Sequence, residues 1–320
     1  MTTRQLHRST GAFLLGISLL AAATAPVDAQ EPSQPTFRAS VAVVPIAAVV
    51  RDSRNRVVRD LGRADFQVVE RGVPRPIIEF SASDDTPLRL ALLFDTSGSM
   101  GIVSNLERGK HVVRQLLDRF DNTRDEAALF TFHKTLRQEV PFTADRERLG
   151  RAVAGVSPWG LTSLYDAVAE TAKRVSQTGA ARSAIVVVSD GVDTSSRLTS
   201  SEVAALASAI DVPVYVVAVV SPLEDPTHSA SLLSPRSTGA LRDLAHQTGG
   251  EVFYVSAANP VGATDQLVST LRHQYFLAIE SSSAPGWYAL QVTTKRKGLT
   301  VRARQAYSAT AAAEANPGGR

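Results

Sequence analysis

Residues 88–101 read LRLALLFDTSGSMG, and this stretch decides the fold class. An apolar run at 90–94 ends at Asp95 and is followed at once by a turn rich in serine and glycine. An apolar run bounded by turn residues is typical of a strand buried on both faces of a parallel sheet. Ligands bind at the carboxyl ends of such strands. The oxygen atoms of Asp95, Ser97 and Ser99 are therefore candidate ligands for a hard divalent cation.

The chain from 87 to 274 alternates predicted strands with predicted helices, which is typical of an α/β fold with a mainly parallel sheet. We expect a Rossmann-like domain with helices on both faces. The short link between residues 132 and 138 predicts one antiparallel strand. The predicted strands are 88–94, 126–132, 138–142, 184–189, 212–220 and 251–255, and the predicted helices are 103–120, 146–156, 163–175, 201–210, 239–247 and 261–273.

Two β-rich segments flank this domain, at 37–86 and 275–309. The predicted strands are 37–50, 66–70 and 75–80 in the first segment, and 275–281, 288–294 and 299–307 in the second. Neither segment has enough strands to bury a core alone. We therefore expect the two segments to combine into one β-sandwich, with the α/β domain inserted between them.

The first 29 residues are predicted to be a secretory signal peptide. Arg4 and Arg8 precede an apolar stretch at 11–25, and small residues follow before a cut after Ala29. The alternative is an uncleaved membrane anchor, but the stretch is short of the roughly 20 residues that a span needs. Residues 30–36 are expected to be a linker and 310–320 a flexible tail. We expect an exported protein, periplasmic or secreted, with no membrane span after cleavage.

Composition indicates a globular protein and limits the kinds of partner that it is expected to bind. The chain has 320 residues, of which 44% are hydrophobic and 20% are charged, and it contains no cysteine. Without cysteine there is neither a disulfide framework nor a thiolate metal site, so stability depends on the core. The formal charge of +3 comes without a basic stripe, and we expect no nucleic-acid partner.

Two further segments place oxygen ligands near the first. Thr162 lies just before the predicted helix at 163–175, and the apolar run 185–189 ends at Asp190. The strands that end at Asp95 and Asp190 are expected to be neighbours at the point where strand order reverses, with Thr162 between them. Taken singly, the hydroxyl residues have a simpler explanation as helix caps, and Asp190 with the glycine after it as a turn.

Taken together, these three segments resemble the von Willebrand factor type A (VWA) domain over about 87–274. That family carries Asp-x-Ser-x-Ser, a later Thr and a later Asp at its metal-ion-dependent adhesion site, and the chain matches all five positions. The segments 49–52, 65–77 and 301–307 are also similar to secreted bacterial "VWFA-related" proteins of the acidobacterial type. This second resemblance implies an architecture and no particular reaction.

The VWA resemblance implies a bound Mg²⁺, with Mn²⁺ or Ca²⁺ as alternatives. It implies that Ser97 and Ser99 bind the cation directly and that Thr162 binds it directly or through water. Asp95 and Asp190 would hold the coordinating waters and hydroxyls. Because neutral hydroxyls donate little charge, the cation stays electrophilic, and a protein partner can supply a carboxylate to it.

Four residues are predicted to form a partner-binding rim around this site: Trp159, Asp193, Glu224 and Asp225. Trp159 lies three residues before Thr162, where an aromatic side chain can act as an anchor. Its alternative role is that of a half-buried loop aromatic, and Asp193 is alternatively a solvated loop acid. Glu224 and Asp225 lie in the long loop 221–238, which is expected to overhang the metal face.

We predict that the protein is a binding or adhesion module and not an enzyme. One alternative is a scaffold in an envelope or secretion assembly, in which the metal only stabilises the fold. A second alternative is a metal-assisted hydrolase, which needs a general base near the metal-bound water. Only His133 and His228 lie in loops that could reach that face. The motif Gly-x-Ser-x-Gly is absent around Ser97 and Ser99, which disfavours a serine hydrolase.

Overall fold

A computed structural model describes residues 43–83, 87–121, 123–178, 183–209, 211–220, 236–255, 261–282 and 284–309. The predicted signal peptide, linker and tail lie outside these residues, as do Glu224, Asp225 and His228. None of the helices in the described residues is both long and apolar enough to cross a membrane.

The described strands and helices follow one another in the predicted order. The strands are β1 (Val43–Arg51), β2 (Phe66–Glu70), β3 (Val73–Arg75), β4 (Glu79–Ser83), β5 (Arg89–Asp95), β6 (Glu126–Phe132), β7 (Leu136–Thr143), β8 (Ser183–Ser189), β9 (Val214–Val219), β10 (Val252–Val255), β11 (Gln274–Glu280), β12 (Gly286–Thr294), β13 (Thr300–Ala303) and β14 (Ala306–Ala309). The helices are α1 (Asn105–Leu117), α2 (Arg146–Ala154), α3 (Leu164–Gln177), α4 (Ser200–Ala209), α5 (Arg236–Gln247) and α6 (Gly262–Arg272).

A six-stranded sheet forms the centre of the α/β domain, in the order β10-β9-β8-β5-β6-β7. All neighbouring strands are parallel except β7, which runs antiparallel to β6. Leu90, Leu92 and Phe94 of β5 pack with α1, α2 and α6, whereas Ala91 and Leu93 pack with α3, α4 and α5. Because successive side chains of a strand point to opposite faces, this run must be apolar throughout. The predicted α/β fold with helices on both faces is confirmed.

The two β-rich flanks form a β-sandwich. One sheet has the order β13-β1-β11-β4 and the other has the order β14-β12-β2-β3, so each sheet contains strands from both flanks. Phe66 and Phe80 come from the first flank and pack against Tyr275 from the second, with ring centroids 5.0 to 6.1 Å apart. The expected sandwich is therefore present, while the domain boundaries at 87 and 274 remain predictions.

Three elements differ from the prediction. The strand expected at 299–307 is two strands, β13 and β14, which belong to different sheets. The break falls at Arg304, whose buried guanidinium bonds the carbonyl oxygens of Ser208 and Pro45. The strand expected at 75–80 is likewise divided between β3 and β4. Finally, a 3-10 segment, Gly98–Ser104, precedes α1 where a continuous helix from residue 103 was expected.

Paired buried charges join the sandwich to the α/β domain. The Arg51 guanidinium of β1 bonds the Glu251 carboxylate at 2.9 Å and the Thr270 hydroxyl of α6 at 2.6 Å. Gln274 donates to the hydroxyl of Tyr215 at 2.8 Å. Losing one partner of such a contact leaves a buried polar group unpaired, so these bonds fix how the two parts meet.

We predict that Gly250→Ala lowers the free energy of unfolding by about 2–3 kcal/mol, because overpacking a tight site strains the backbone. A Cβ atom at Gly250 would lie 2.0 Å from the carbonyl oxygen of Val214. The matched control is Gly150→Ala in α2, where a Cβ would meet no atom within 4 Å. Because alanine has a higher helix propensity than glycine, this control should raise the free energy of unfolding by about 0.5–1 kcal/mol. Urea unfolding of both variants measures the difference, and shifts of equal sign would contradict it.

Candidate metal site

Asp95 lies at the carboxyl end of β5, where its carboxylate is fully buried and held by two hydrogen bonds. Its Oδ2 atom accepts a bond from the Ser189 hydroxyl at 2.6 Å, and its Oδ1 atom accepts one from the Ser97 backbone N–H at 2.8 Å. Ser189 ends β8, the strand next to β5. The two strands are neighbours, as expected, and the Ser189 hydroxyl at the end of one orients the carboxylate at the end of the other.

The hydroxyls of Ser97 and Ser99 lie next to each other, with their Oγ atoms 3.0 Å apart. Ser97 begins the 3-10 segment, but its side chain accepts no bond from the backbone that follows. The helix-cap alternative therefore does not apply to this hydroxyl. Ser97 is buried and Ser99 is half-buried, so the pair lies at the boundary between the core and the surface.

Thr162 is buried on the adjacent loop, which backbone bonds attach to both other segments. The Gly98 N–H donates to the Gly160 carbonyl at 2.9 Å, and the carbonyl of Thr162 accepts from the Thr194 N–H at 3.0 Å. A Cβ atom at Gly98 would lie 3.3 Å from the Gly160 carbonyl oxygen, so glycine suits this close approach. The three segments that carry the motif thus meet at one end of the sheet.

Asp190 directly follows β8 and is half-buried. Burial raises the pKa of Asp95 to about 6, and the nearby charge of Asp190 acts in the same direction. Hydrogen bonds from Ser189 and Ser97 oppose this shift of the pKa. Two carboxylates thus lie close enough to repel each other, and one of them, Asp95, is fully buried.

The donor set fits a hard divalent cation. Two hydrogen bonds hold the Asp95 carboxylate, but no basic side chain among the described residues forms an ion pair with it, so the cost of burying its charge is only partly offset. A cation beside it would supply that charge, and all the nearby ligand atoms are oxygen. Within the described ranges, no group of three or more His, Cys, Asp or Glu residues could hold a metal. Binding would therefore depend on hydroxyl ligands.

Trp159 and Asp193, the two residues of the predicted partner-binding rim that the structure describes, have different surroundings. Trp159 is strongly exposed, and its ring meets the His133 ring edge-on with centroids 5.5 Å apart. Asp193 instead contacts the beginning of α3, where its Oδ1 atom accepts bonds from the Leu164 N–H at 2.8 Å and the Ser196 hydroxyl at 2.6 Å. Ser163, the residue before α3, makes no cap bond with its side chain. A loop distant in sequence therefore caps this helix.

Two contributors to the site were not among the predicted ligands. The first is Ser189, whose hydroxyl donates to Asp95 and accepts a bond from the Gly191 N–H at 3.0 Å. Ser195 donates to the Thr162 carbonyl through its hydroxyl at 3.0 Å. The position of Ser189 at the end of a buried strand is a signal that could have identified it. The bond from Ser195 depends on the path of the loop after β8, which has no sequence signal.

Comparison with known proteins supports the family first indicated by the motifs. Residues 90–192 match the von Willebrand factor type A domain. An uncharacterized protein of Borreliella burgdorferi is 25% identical over 197 residues, which cover 56% of each protein, so the chain spans about half the length of this relative.

Two solved structures are also similar to the chain. An aerotolerance-related membrane protein from Bacteroides fragilis matches with a TM-score of 0.45 and 20% identity, covering 57% of this chain and 98% of that one. Proximal thread matrix protein 1 from the mussel byssus, with a zinc-occupied MIDAS motif, matches with a TM-score of 0.49 and 14% identity, covering 63% and 49%.

The family-model match at residues 90–192 gives the class of the α/β domain. Residues 90–192 are a VWA domain, and the resemblance noted at residues 95–99, 162 and 189–191 is confirmed at the level of that domain. The narrower resemblance to secreted VWFA-related proteins stays a prediction.

We predict that Asp193→Ala lowers the free energy of unfolding by about 1–2 kcal/mol, because it removes the acceptor that caps α3. The control is Glu147→Ala in the first turn of α2; the Glu147 side chain is 87% exposed and pairs with Arg151. An exposed pair of this kind contributes about 0.5 kcal/mol or less. Thermal unfolding of both variants measures the difference. Equal stability of the two would show that Asp193 does not cap the helix.

Proposed function

We propose that this protein is an exported binding module that docks a protein partner through a divalent cation. The proposed cation is Mg²⁺, with Mn²⁺ or Ca²⁺ as alternatives. Asp95, Ser97, Ser99, Thr162 and Asp190 would form the metal site. VWA domains are protein-interaction modules, which makes partner binding the natural use of the α/β domain. The cation and the acidic group of the partner are the specific parts of this proposal.

One observation carries the proposal. The buried carboxylate of Asp95 is oriented by Ser189 and by the Ser97 N–H, and it lies beside two hydroxyls whose oxygen atoms are 3.0 Å apart. The two hydroxyls hydrogen-bond to each other, but no ion pair within the described residues compensates the carboxylate. A hard cation would supply that positive charge, and the two hydroxyls would offer it oxygen ligands.

The chain's own residues would divide the work at such a site. Ser97, Ser99 and Thr162 would offer neutral oxygen ligands, and Asp95 would hold them in place through the bonds already described. Asp190 would accept hydrogen bonds from coordinating water. Because few negative charges would contact the ion directly, the cation would retain the capacity to attract a carboxylate from the partner.

The hydrolase alternative has less support from the described residues. Of the two candidate histidines, the described residues include His133, and its ring packs against Trp159. Its Nδ1 atom is buried without a hydrogen-bond partner. A general base requires hydrogen-bond reach of the reacting water, and none of the hydroxyls of the candidate site bonds this ring. We therefore retain the prediction that the protein is not an enzyme.

Export rests on the sequence of the first 29 residues, with their basic start and short apolar run. The proposal places the protein in the periplasm or outside the cell. Divalent cations in the medium would then be available to the site, and the sequence has no cysteine to respond to oxidation.

We predict that Ser97→Ala and Ser99→Ala each weaken Mg²⁺ or Mn²⁺ binding at least about tenfold, because each removes an oxygen ligand. Titration calorimetry of the whole exported chain measures the affinity. The control is Ser176→Ala, which changes an exposed hydroxyl on α3 and should leave binding unchanged. Unaltered affinity in both site variants would refute the metal site.

Partner capture separates docking from the scaffold alternative. We expect capture from envelope and culture fractions in Mg²⁺ to be lost in EDTA and in both site variants. If Mg²⁺ raises the melting temperature but capture is equal with and without EDTA, the cation only stabilises the fold and the docking proposal fails.

A further inference from the structure

Four large apolar side chains are exposed on the loops that carry the candidate metal residues. The exposed fractions are 60% for Ile102, 73% for Trp159, 56% for Leu161 and 38% for Val192. Ile102 follows the Ser97–Ser99 pair, Trp159 and Leu161 precede Thr162, and Val192 follows Asp190. We call these four residues the apolar rim.

The backbone brings the loops of the apolar rim into contact. The Gly98 N–H donates to the Gly160 carbonyl at 2.9 Å, and a Cβ atom at Gly101 would lie 3.2 Å from the Pro158 side chain, so the Ile102 loop lies against the Trp159 loop. The bond from Thr194 to the Thr162 carbonyl joins the Val192 loop to the Leu161 loop at 3.0 Å. The loops that carry the four exposed side chains therefore meet at one end of the sheet.

Trp159 is held in place although its side chain is exposed. Its backbone N–H donates to the Thr96 carbonyl at 2.7 Å, and the edge of the His133 ring packs against its indole ring. A fixed aromatic side chain loses little conformational entropy when it binds a partner. Aromatic anchors of this kind contribute strongly to binding when they surround a desolvated centre.

The charge at the centre and the apolar surface around it together define a partner. A cation attracts a carboxylate, but the apolar rim offers nothing to other charged groups and would desolvate them at a cost. Apolar neighbours of the carboxylate would instead cover the rim, exclude water and strengthen the contact with the cation. A segment with many acidic residues would satisfy the cation and leave the rim uncovered.

We infer that the partner of this site is a protein segment with one Asp or Glu flanked by bulky apolar side chains. This inference rests on the proposed function, since it takes the cation as the centre of the interface. It adds that the apolar rim selects among acidic segments and that Trp159 and Leu161 carry most of that selection.

The test uses the whole exported chain and three labelled synthetic peptides in Mg²⁺. The first peptide carries one Asp between leucine and phenylalanine, the second carries Asn in its place, and the third carries the Asp between two serines. Fluorescence anisotropy measures affinity. We expect the first peptide to bind at least about tenfold more tightly than either of the others, and to be released by EDTA.

Substitutions in the rim test the role of the named side chains. Trp159→Ser and Leu161→Ser should each weaken the first peptide about tenfold or more and leave Mg²⁺ affinity unchanged. The matched controls are Trp287→Ser and Val73→Ser, which remove exposed apolar side chains of the sandwich. Neither control should alter peptide binding.

Several outcomes would overturn the inference, and they can be told apart. Equal Mg²⁺-dependent binding of the two Asp peptides would leave the metal-dependent docking intact and show that the rim selects nothing. Binding of none of the peptides, together with an absence of Mg²⁺ binding, would refute both proposals. Self-association of the chain in Mg²⁺, detected by sedimentation and lost in Trp159→Ser, would replace the peptide segment by a second copy.

Discussion

The hydrogen bond between the Ser189 hydroxyl and the Asp95 carboxylate is the contact on which the site depends. It joins the ends of two neighbouring strands at 2.6 Å, and it fixes a buried negative charge at the boundary of the core. The same carboxylate orders the turn after it by accepting from the Ser97 N–H. Burying a charge in this position is costly unless it is compensated, and that cost connects the packing of the sheet to the proposed cation site.

The surrounding loops convert this local constraint into a surface. Backbone bonds tie the turn at 96–99 to Phe132 and Gly160, and tie Thr162 to the loop after β8. Asp193 and Ser196 use their side chains to cap α3, so this loop is shaped by the helix beneath it. Exposed apolar side chains on these loops are thereby held in place, and a partner would meet a largely preformed surface.

Much of the fold could be predicted because its signals are local. The run at 90–94 is apolar at every position because β5 is covered on both faces. The division of the last predicted strand shows in the sequence only as a shift in alternation, from apolar residues at 299, 301 and 303 to one at 306. The contacts at the break were not predictable, because the Arg304 guanidinium bonds the carbonyl oxygens of Ser208 and Pro45, which lie far away in sequence.

The sequence by itself determined the α/β class, the family of its α/β domain and a set of candidate oxygen ligands, since each depends on short patterns of hydrophobicity and on a spaced motif. The tertiary structure decided which hydroxyls lie free of helix caps, that Asp193 caps α3, and that four apolar side chains gather around the motif. Those features depend on loops that meet across the end of the sheet. Contacts between residues distant in the chain leave no periodic trace in the sequence, because they follow from strand order and loop path.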